Sequence, residues 1–133
     1  MVTLAGEVRT VKYRSFQDMP VWKDAMDLAE KVFEWSETLP KKEDYGLTSQ
    51  VRRSALSVSA NIAEGFGRHH FADKLNFYYN ARGSLYETQS HLMYAQKVKY
   101  LNEIPSRELG QLIARITVEL GKLISSLTSM RTK

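Results

Sequence analysis

Apolar side chains recur every three or four residues in four separate stretches of the chain, which is the period of an amphipathic α-helix. The predicted helices span about residues 19–39, 47–66, 71–99 and 105–129. Polar connections that contain Pro or Gly separate the first three helices. Short connections place neighbouring helices antiparallel. The pattern therefore predicts an all-α fold, an antiparallel up-down-up-down four-helix bundle without strands.

The chain divides into a short first segment and one domain. Residues 1–15 lack a helical period, so we expect an extended N-terminal arm. Residues 16–133 are expected to form a single four-helix bundle domain, which is long enough for one core. Asp18 is the predicted N-cap of the first helix, because Pro20 follows just inside its first turn.

The first predicted helix carries two apolar stripes. A single bundle contact needs a narrower apolar face than these two stripes provide. The helix is therefore either deeply buried in a monomer or in contact with both its own bundle and another subunit. The first stripe comprises Val21, Ala25, Leu28, Val32, Trp35 and Leu39, and the second comprises Trp22, Met26, Ala29 and Phe33.

The second predicted helix is rich in small side chains, which allow a neighbouring helix to approach closely. Gly83 in the middle of the third helix costs about 1 kcal/mol relative to Ala. Close contact of Gly83 and Ser84 with the second helix would explain that glycine. The small residues of the second helix are Ser54, Ala55, Ser57, Ser59, Ala60 and Ala63.

Several segments carry a family resemblance. Residues 50–65 read QVRRSALSVSANIAEG, residues 45–50 read YGLTSQ, and residues 83–87 read GSLYE. Together with Phe16, the string VWKDA at 21–25 and Leu28, these segments resemble the bacterial 23S rRNA intervening-sequence proteins, which are small four-helix bundles.

The resemblance covers about residues 16–101 and implies several properties of the protein. It implies a homopentamer, nucleic-acid binding and no enzyme activity. The family is also similar in fold to the accessory proteins of diversity-generating retroelements, which assist a reverse transcriptase.

Composition narrows the class of protein. The chain has 133 residues, of which 43% are hydrophobic and 26% charged, as in soluble globular domains. The absence of Cys excludes disulfides and thiolate metal sites. No apolar run approaches the ~20 residues of a membrane helix, and the first residues do not resemble a secretory signal. We therefore expect a cytoplasmic protein with no cofactor, no bound metal and no membrane association.

The chain has a net charge of +4, and its charged residues are unevenly distributed along the sequence. Residues 18–39 carry six acids and two lysines, whereas residues 104–133 carry five basic and two acidic side chains. Basic patches attract phosphate and acidic faces repel it, although ordinary solvated surface charge would also give this pattern. The candidate nucleic-acid contacts are Lys41, Lys42, Arg52, Arg68, Lys97, Lys99 and Arg115. Tyr94 and Tyr100 beside the last lysines either stack on bases or cover the core.

A second set of polar residues is expected to have a structural role. Antiparallel packing of the second and third helices would bring Arg53 towards Glu87, and an ion pair tolerates partial burial far better than one charge alone. Asn61 is expected to fix helix register. Glu64 is assigned to the same structural set, because no second catalytic group accompanies it.

The remaining motifs point away from catalysis. His69 and His70 are adjacent, but a metal site needs three or four ligands, so a surface turn is the better interpretation. Neither a phosphate loop nor a zinc-protease or serine-hydrolase motif is present. We expect a non-enzymatic, oligomeric nucleic-acid-binding protein, with RNA as the expected ligand. The alternative is a scaffold or accessory protein whose partner is another protein, such as a reverse transcriptase.

Overall fold

The computed structural model describes residues 13–131, which form four α-helices and two short 3₁₀ turns. The helices are α1 (Pro20–Ser36), α2 (Leu47–Phe66), α3 (Phe71–Lys97) and α4 (Glu103–Arg131), with 3₁₀ turns at Phe16–Asp18 and Lys41–Glu43. This stretch of chain contains no strand. The predicted all-α four-helix fold is confirmed. The predicted arm over residues 1–15 lies outside the described residues except for its last three.

The start of α1 differs from the sequence prediction. Met19, rather than Asp18, is the N-cap residue, and its side chain makes no capping hydrogen bond. Asp18 is part of the preceding 3₁₀ turn, in which the Asp18 amide donates to the Ser15 carbonyl. Pro20 occupies the first helical position, where its missing N–H leaves one fewer donor to satisfy. The N-cap prediction for Asp18 is therefore wrong.

One hydrophobic core runs between the helices. Each helix contributes at least one fully buried aliphatic side chain, including Leu28, Ile62, Leu85, Ile116 and Leu120. Complete burial of such a side chain stabilises the folded state by about 1.5–3 kcal/mol relative to leaving it exposed.

The two stripes of α1 have different environments. Val21, Leu28 and Val32 of the first stripe are buried in the core. In the second stripe, Met26 is 41% exposed and Phe33 is 51% exposed. The described chain therefore leaves part of the second stripe exposed to solvent.

Helices α2 and α3 pack through small polar side chains. Ser54 and Thr88 are completely buried, and their hydroxyl oxygens share a hydrogen bond of 2.9 Å. One turn further along α2, the Ser84 hydroxyl donates to the Ser57 hydroxyl, also at 2.9 Å. From the first of these hydrogen bonds to the second, the residue number rises on α2, from Ser54 to Ser57, and falls on α3, from Thr88 to Ser84. These two helices therefore run antiparallel.

The glycine that permits close approach is Gly65, near the end of α2. A Cβ atom there would lie 2.7 Å from Tyr78 Cε1, a distance that real Cβ atoms essentially never show, and 3.1 Å from Phe77 Cβ, which is tighter than most real contacts. A Cβ atom at Gly83 would meet nothing within 4 Å. The explanation proposed for Gly83 is therefore wrong, because Gly83 is exposed while its neighbour Ser84 contacts α2.

Candidate nucleic-acid interface

Two connections between helices meet at one end of the bundle. The Tyr100 hydroxyl, which follows α3, donates to Glu43 Oε2 in the connection from α1 to α2 at 3.0 Å. Trp35 Nε1 on α1 donates to the Tyr100 carbonyl at 3.2 Å. These contacts bring four predicted phosphate ligands to the same end of the molecule. We call this group the lysine end, and it consists of Lys41, Lys42, Lys97 and Lys99.

The lysine end is open to solvent. Lys41 lies 3.9 Å from Asp44, but its side chain is 96% exposed, so the ion pair is weak. Lys42, Lys97 and Lys99 are exposed and form no ion pair within residues 13–131. Their ammonium groups are free to approach an external anion.

Lys99 also shapes the end of α3. Its φ of 73° lies in the left-handed region, which terminates the helix. The following Tyr100 amide then donates to the Ala95 carbonyl at 2.8 Å. This turn directs the chain towards α4 and leaves Lys99 exposed at the corner.

Arg52, another predicted phosphate ligand, instead joins α2 to α1. Its Nε donates to Ser36 Oγ at 2.6 Å, and its Nη2 donates to Glu37 Oε2 at 2.7 Å. The guanidinium also lies over the Phe33 ring, 4.5 Å from the ring centroid. A phosphate could engage Arg52 only by replacing contacts that hold two helices together.

Arg68 and Arg115 likewise have carboxylate partners within the chain. Arg68 Nη2 donates to Glu64 Oε2 at 2.8 Å, and its guanidinium lies over the Phe77 ring. Arg115 Nε donates to Asp24 Oδ2 at 3.1 Å and so links α4 to α1. The seven predicted phosphate ligands thus separate into four lysines at one end and three arginines that pair with nearby acids.

Arg53 and Glu87 meet across α2 and α3. Arg53 Nη2 donates to Glu87 Oε2, and His91 Nε2 lies 3.4 Å from the same oxygen. The Arg53 and Glu87 side chains are 54% and 38% exposed, so the pair is only partly buried and solvent reaches it. Surface ion pairs contribute only ~0–1 kcal/mol to stability. The pair lies beside the buried contact between the two helices and is not part of the core.

The other two structural polar residues act within α2. Asn61 Nδ2 donates to the Ser57 carbonyl at 2.8 Å and to its hydroxyl at 2.9 Å. Because that hydroxyl is bonded to Ser84 on α3, Asn61 reaches the neighbouring helix only through Ser57. Glu64 is exposed and pairs with Arg68 of the following turn, so it does not join Arg53 and Glu87.

Sequence reasoning missed a carboxyl cluster between α1 and α4. Burial, a hydrogen bond with Asp24 and the charge of Asp24 together raise the pKa of Glu119 to about 7. Arg115 and Lys122 oppose that shift. Glu119 Oε1 is buried and has no hydrogen-bond partner among the described residues. Only the four-residue spacing of Arg115 and Glu119 signals this cluster in the sequence, since Asp24 lies on a distant helix.

The described residues contain neither a cluster of metal ligands nor a membrane-spanning helix. His69 and His70 are exposed and form an edge-to-face contact with each other. No group of three or more metal-binding side chains occurs between residues 13 and 131. None of the helices described here has an apolar stretch long enough to span a bilayer.

The fold and the sequence match a known family. The family described as 23S rRNA-intervening sequence protein matches residues 17–122, which is most of the chain. The chain belongs to this family. We find no similar sequence among curated proteins.

A solved structure from Bacteroides thetaiotaomicron has a similar fold. It is described as a protein of unknown function from the S23 ribosomal protein family. The TM-score is 0.73 at 21% sequence identity, and the match covers 78% of this chain and 97% of that chain. At this identity the likeness concerns the fold alone.

The 23S rRNA-intervening sequence family match includes both the lysine end and the carboxyl cluster. Its span of 17–122 contains Lys41, Lys99 and Glu119 but ends before the last turns of α4. These features therefore lie within the part of the chain that the family defines.

Glu119 is expected to make stability depend on pH. A carboxyl with a raised pKa in the folded state binds its proton more tightly there than in the unfolded chain. Its contribution to stability is complete below pH 4.5 and is lost as the pH rises through about 7. Glu119→Gln cannot ionise, so its free energy of unfolding should rise relative to that of the parent by on the order of 1 kcal/mol between pH 5 and pH 8. The expected difference is this small because solvent screens much of the pKa shift.

Thermal and urea unfolding at both pH values measure this gain. Glu108→Gln is the matched control, because Glu108 is an exposed carboxylate on the same helix. The control should follow the parent at both pH values. An equal difference between Glu119→Gln and the parent at pH 5 and pH 8 would show that Glu119 has an ordinary pKa.

Proposed function

We propose that the protein is a non-enzymatic RNA-binding protein that acts as a closed homo-oligomer, with the homopentamer as the expected assembly. The observation that carries the proposal is the lysine end, where two connections place Lys41, Lys42, Lys97 and Lys99 together in solvent. Phosphate neutralisation by lysine releases counterions and supplies most of the free energy of non-specific nucleic-acid binding. The name of the family, which refers to 23S rRNA, supports RNA as the ligand.

Aromatic side chains near the lysine end support stacking on unpaired bases. Tyr94 is 52% exposed on the last turns of α3, so a base can approach its side chain. The Tyr100 hydroxyl is bonded to Glu43, and this bond raises the pKa of Tyr100. Tyr94 is therefore the better candidate for stacking, and Tyr100 has a structural role in joining the two connections.

The distribution of acids limits where RNA can bind. The exposed face of α1 carries Glu30 and Glu34, and its C-cap residue is Glu37; these acids repel phosphate. Arg52 and Arg115 lie next to acids and are already paired with them. The proposed RNA surface is therefore the lysine end alone and does not include the other basic residues of the chain.

Removal of two lysines tests the RNA surface. Lys97→Gln/Lys99→Gln should weaken binding of a fluorescent RNA hairpin or single strand by roughly 10-fold at low salt. Each lost phosphate contact should flatten the slope of log affinity against log salt by about 0.7–0.9. Fluorescence anisotropy over a series of salt concentrations measures both quantities.

Lys23→Gln/Lys31→Gln is the matched control, since it removes the same charge from exposed positions of α1. The control should bind RNA nearly as well as the parent, and both double variants should keep the parent's oligomeric mass. Equal weakening in the two variants would show that RNA binding depends only on the net charge of the protein. Failure of the parent to bind RNA at low salt would overturn the RNA proposal.

Unpacked apolar side chains support the oligomer. Met26 on α1 and Leu56 on α2 line one exposed groove, and Leu56 is 57% exposed. A row of exposed large side chains lies on the outer face of α3. It consists of Tyr79, Tyr86 and Met93, which are spaced seven residues apart. A ring needs two different patches that meet head to tail, and these two surfaces fit that requirement.

Light scattering tests the ring. The parent should have a mass near five times 15.3 kDa at micromolar concentration. Met26→Asp/Leu56→Asp should shift the mass towards that of the monomer, because charge at the interface core is costly. Tyr45→Asp, which changes an exposed aromatic residue outside the helices, is the control and should keep the parent mass. A parent that is monomeric at this concentration would contradict the proposal.

The row on α3 also supports a second candidate function. Tyr79, Tyr86 and Met93 have the spacing of a helix that docks against another helix, and that helix can belong to a different protein. An accessory or scaffold protein with a protein partner, such as a reverse transcriptase, would use this row. This function becomes the first choice if the parent shows no RNA binding at low salt.

A further inference from the structure

An almost fully exposed aromatic ring lies in the connection that carries Lys41 and Lys42. Tyr45 is 98% exposed, so its ring has almost no contact with the rest of the described chain. The backbone around Tyr45 is fixed, because the Gly46 amide donates to the Glu43 carbonyl at 2.9 Å and closes a turn directly before α2. The ring therefore extends into solvent from a hydrogen-bonded turn beside two lysines.

The end of α3 has the same combination of an exposed ring and lysines. Tyr94 is 52% exposed and lies three residues before Lys97, and Lys99 follows at the corner. Side chains three residues apart are neighbours on a helix surface, so Tyr94 and Lys97 lie side by side. One exposed aromatic residue is ordinary in a soluble protein. Here, however, each of the two segments that meet at the lysine end presents one ring and two lysines.

The acids of the connection from α1 to α2 already have partners within the chain. Glu43 accepts the Tyr100 hydroxyl through Oε2 at 3.0 Å and the Leu47 amide through Oε1 at 3.2 Å. Asp44 lies 3.9 Å from Lys41, so it offsets one lysine only. The four lysines outnumber Glu43 and Asp44. The lysine end therefore attracts phosphate next to two rings that can stack on bases.

Exposed rings beside lysines distinguish single-stranded from double-stranded RNA. The bases of a duplex stack on one another, so their faces are closed to a protein side chain. The bases of a single strand can stack on aromatic side chains, and every base has a π-face, whatever the sequence. We propose that the lysine end selects single-stranded RNA over duplex RNA by stacking unpaired bases on Tyr45 and Tyr94. This inference rests on the proposed RNA-binding function and specifies the form of RNA that is bound.

One RNA strand, alone and annealed to its complement, tests the selectivity. A fluorescent strand of about 12 nucleotides without internal pairing lies in the size range of single-strand sites. The duplex carries twice as many phosphates, so electrostatic attraction alone favours the duplex. Fluorescence anisotropy at low salt should instead show the single strand bound at least about 5-fold more tightly by the parent. Equal affinities, or tighter binding of the duplex, would overturn the selectivity but not RNA binding, whereas binding of neither form would overturn both.

Variants assign the selectivity to the exposed rings. Tyr45→Ser and Tyr94→Ser should each weaken binding of the single strand by roughly 5-fold, because each removes one stacking surface. Binding of the duplex and the salt slope should match those of the parent, because no charge is removed. Tyr45→Phe keeps the ring and should restore the preference for the single strand. Unchanged single-strand binding in either serine variant, or an equal loss with both forms of RNA, would contradict stacking on these rings.

Discussion

Close contact between α2 and α3 is the constraint on which the rest of the structure depends. Small side chains along α2 let the two backbones approach, and Gly65 leaves space for the Tyr78 ring. The buried hydroxyls of Ser54 and Thr88 each have a backbone carbonyl partner in their own helix, and the hydrogen bond between them joins the two helices. Since a shift in register would separate them, this pair stabilises one alignment of the two helices. Helix α1 then packs on α2, and α4 packs on α3 and α1.

The alignment of α2 and α3 gives the two ends of the bundle different properties. At one end, α3 stops where the connection from α1 to α2 passes, and the Tyr100–Glu43 hydrogen bond joins the two segments. Four lysines are exposed there because they lie in or beside these connections. At the other end, the helix termini surround an open, mainly apolar cavity, and Glu119 is one of its lining residues.

Much of the fold could be predicted because it depends on local periodicity. The apolar repeat and the flanking glycines predict α2 over Leu47–Phe66, and the structure has these bounds. The contact between Arg53 and Glu87 also follows from antiparallel packing about small residues. Its exposure does not follow, because both side chains lie at the edge of the helix contact, and sequence spacing does not show how much solvent reaches that edge.

The site could be predicted only in part, because charge partners come from different helices. Arg52 and Arg115 look like free cations in the sequence, yet Glu37, the C-cap residue of α1, and Asp24 on α1 pair with them in the fold. Glu119 resembles an ordinary surface acid until α1 places Asp24 beside it. The exposed lysines, in contrast, lie in or beside connections, where solvent exposure is the usual outcome.

The close approach of α2 and α3 is tested most directly by adding one methyl group to each of two helical glycines and measuring urea unfolding. Gly65→Ala should lose about 1–3 kcal/mol of stability, because the new Cβ would clash with the buried Tyr78 ring. Gly83→Ala has open space around it and should gain up to about 1 kcal/mol from helix propensity. If Gly65→Ala instead proved as stable as Gly83→Ala, the two helices would not be in the tight contact described here.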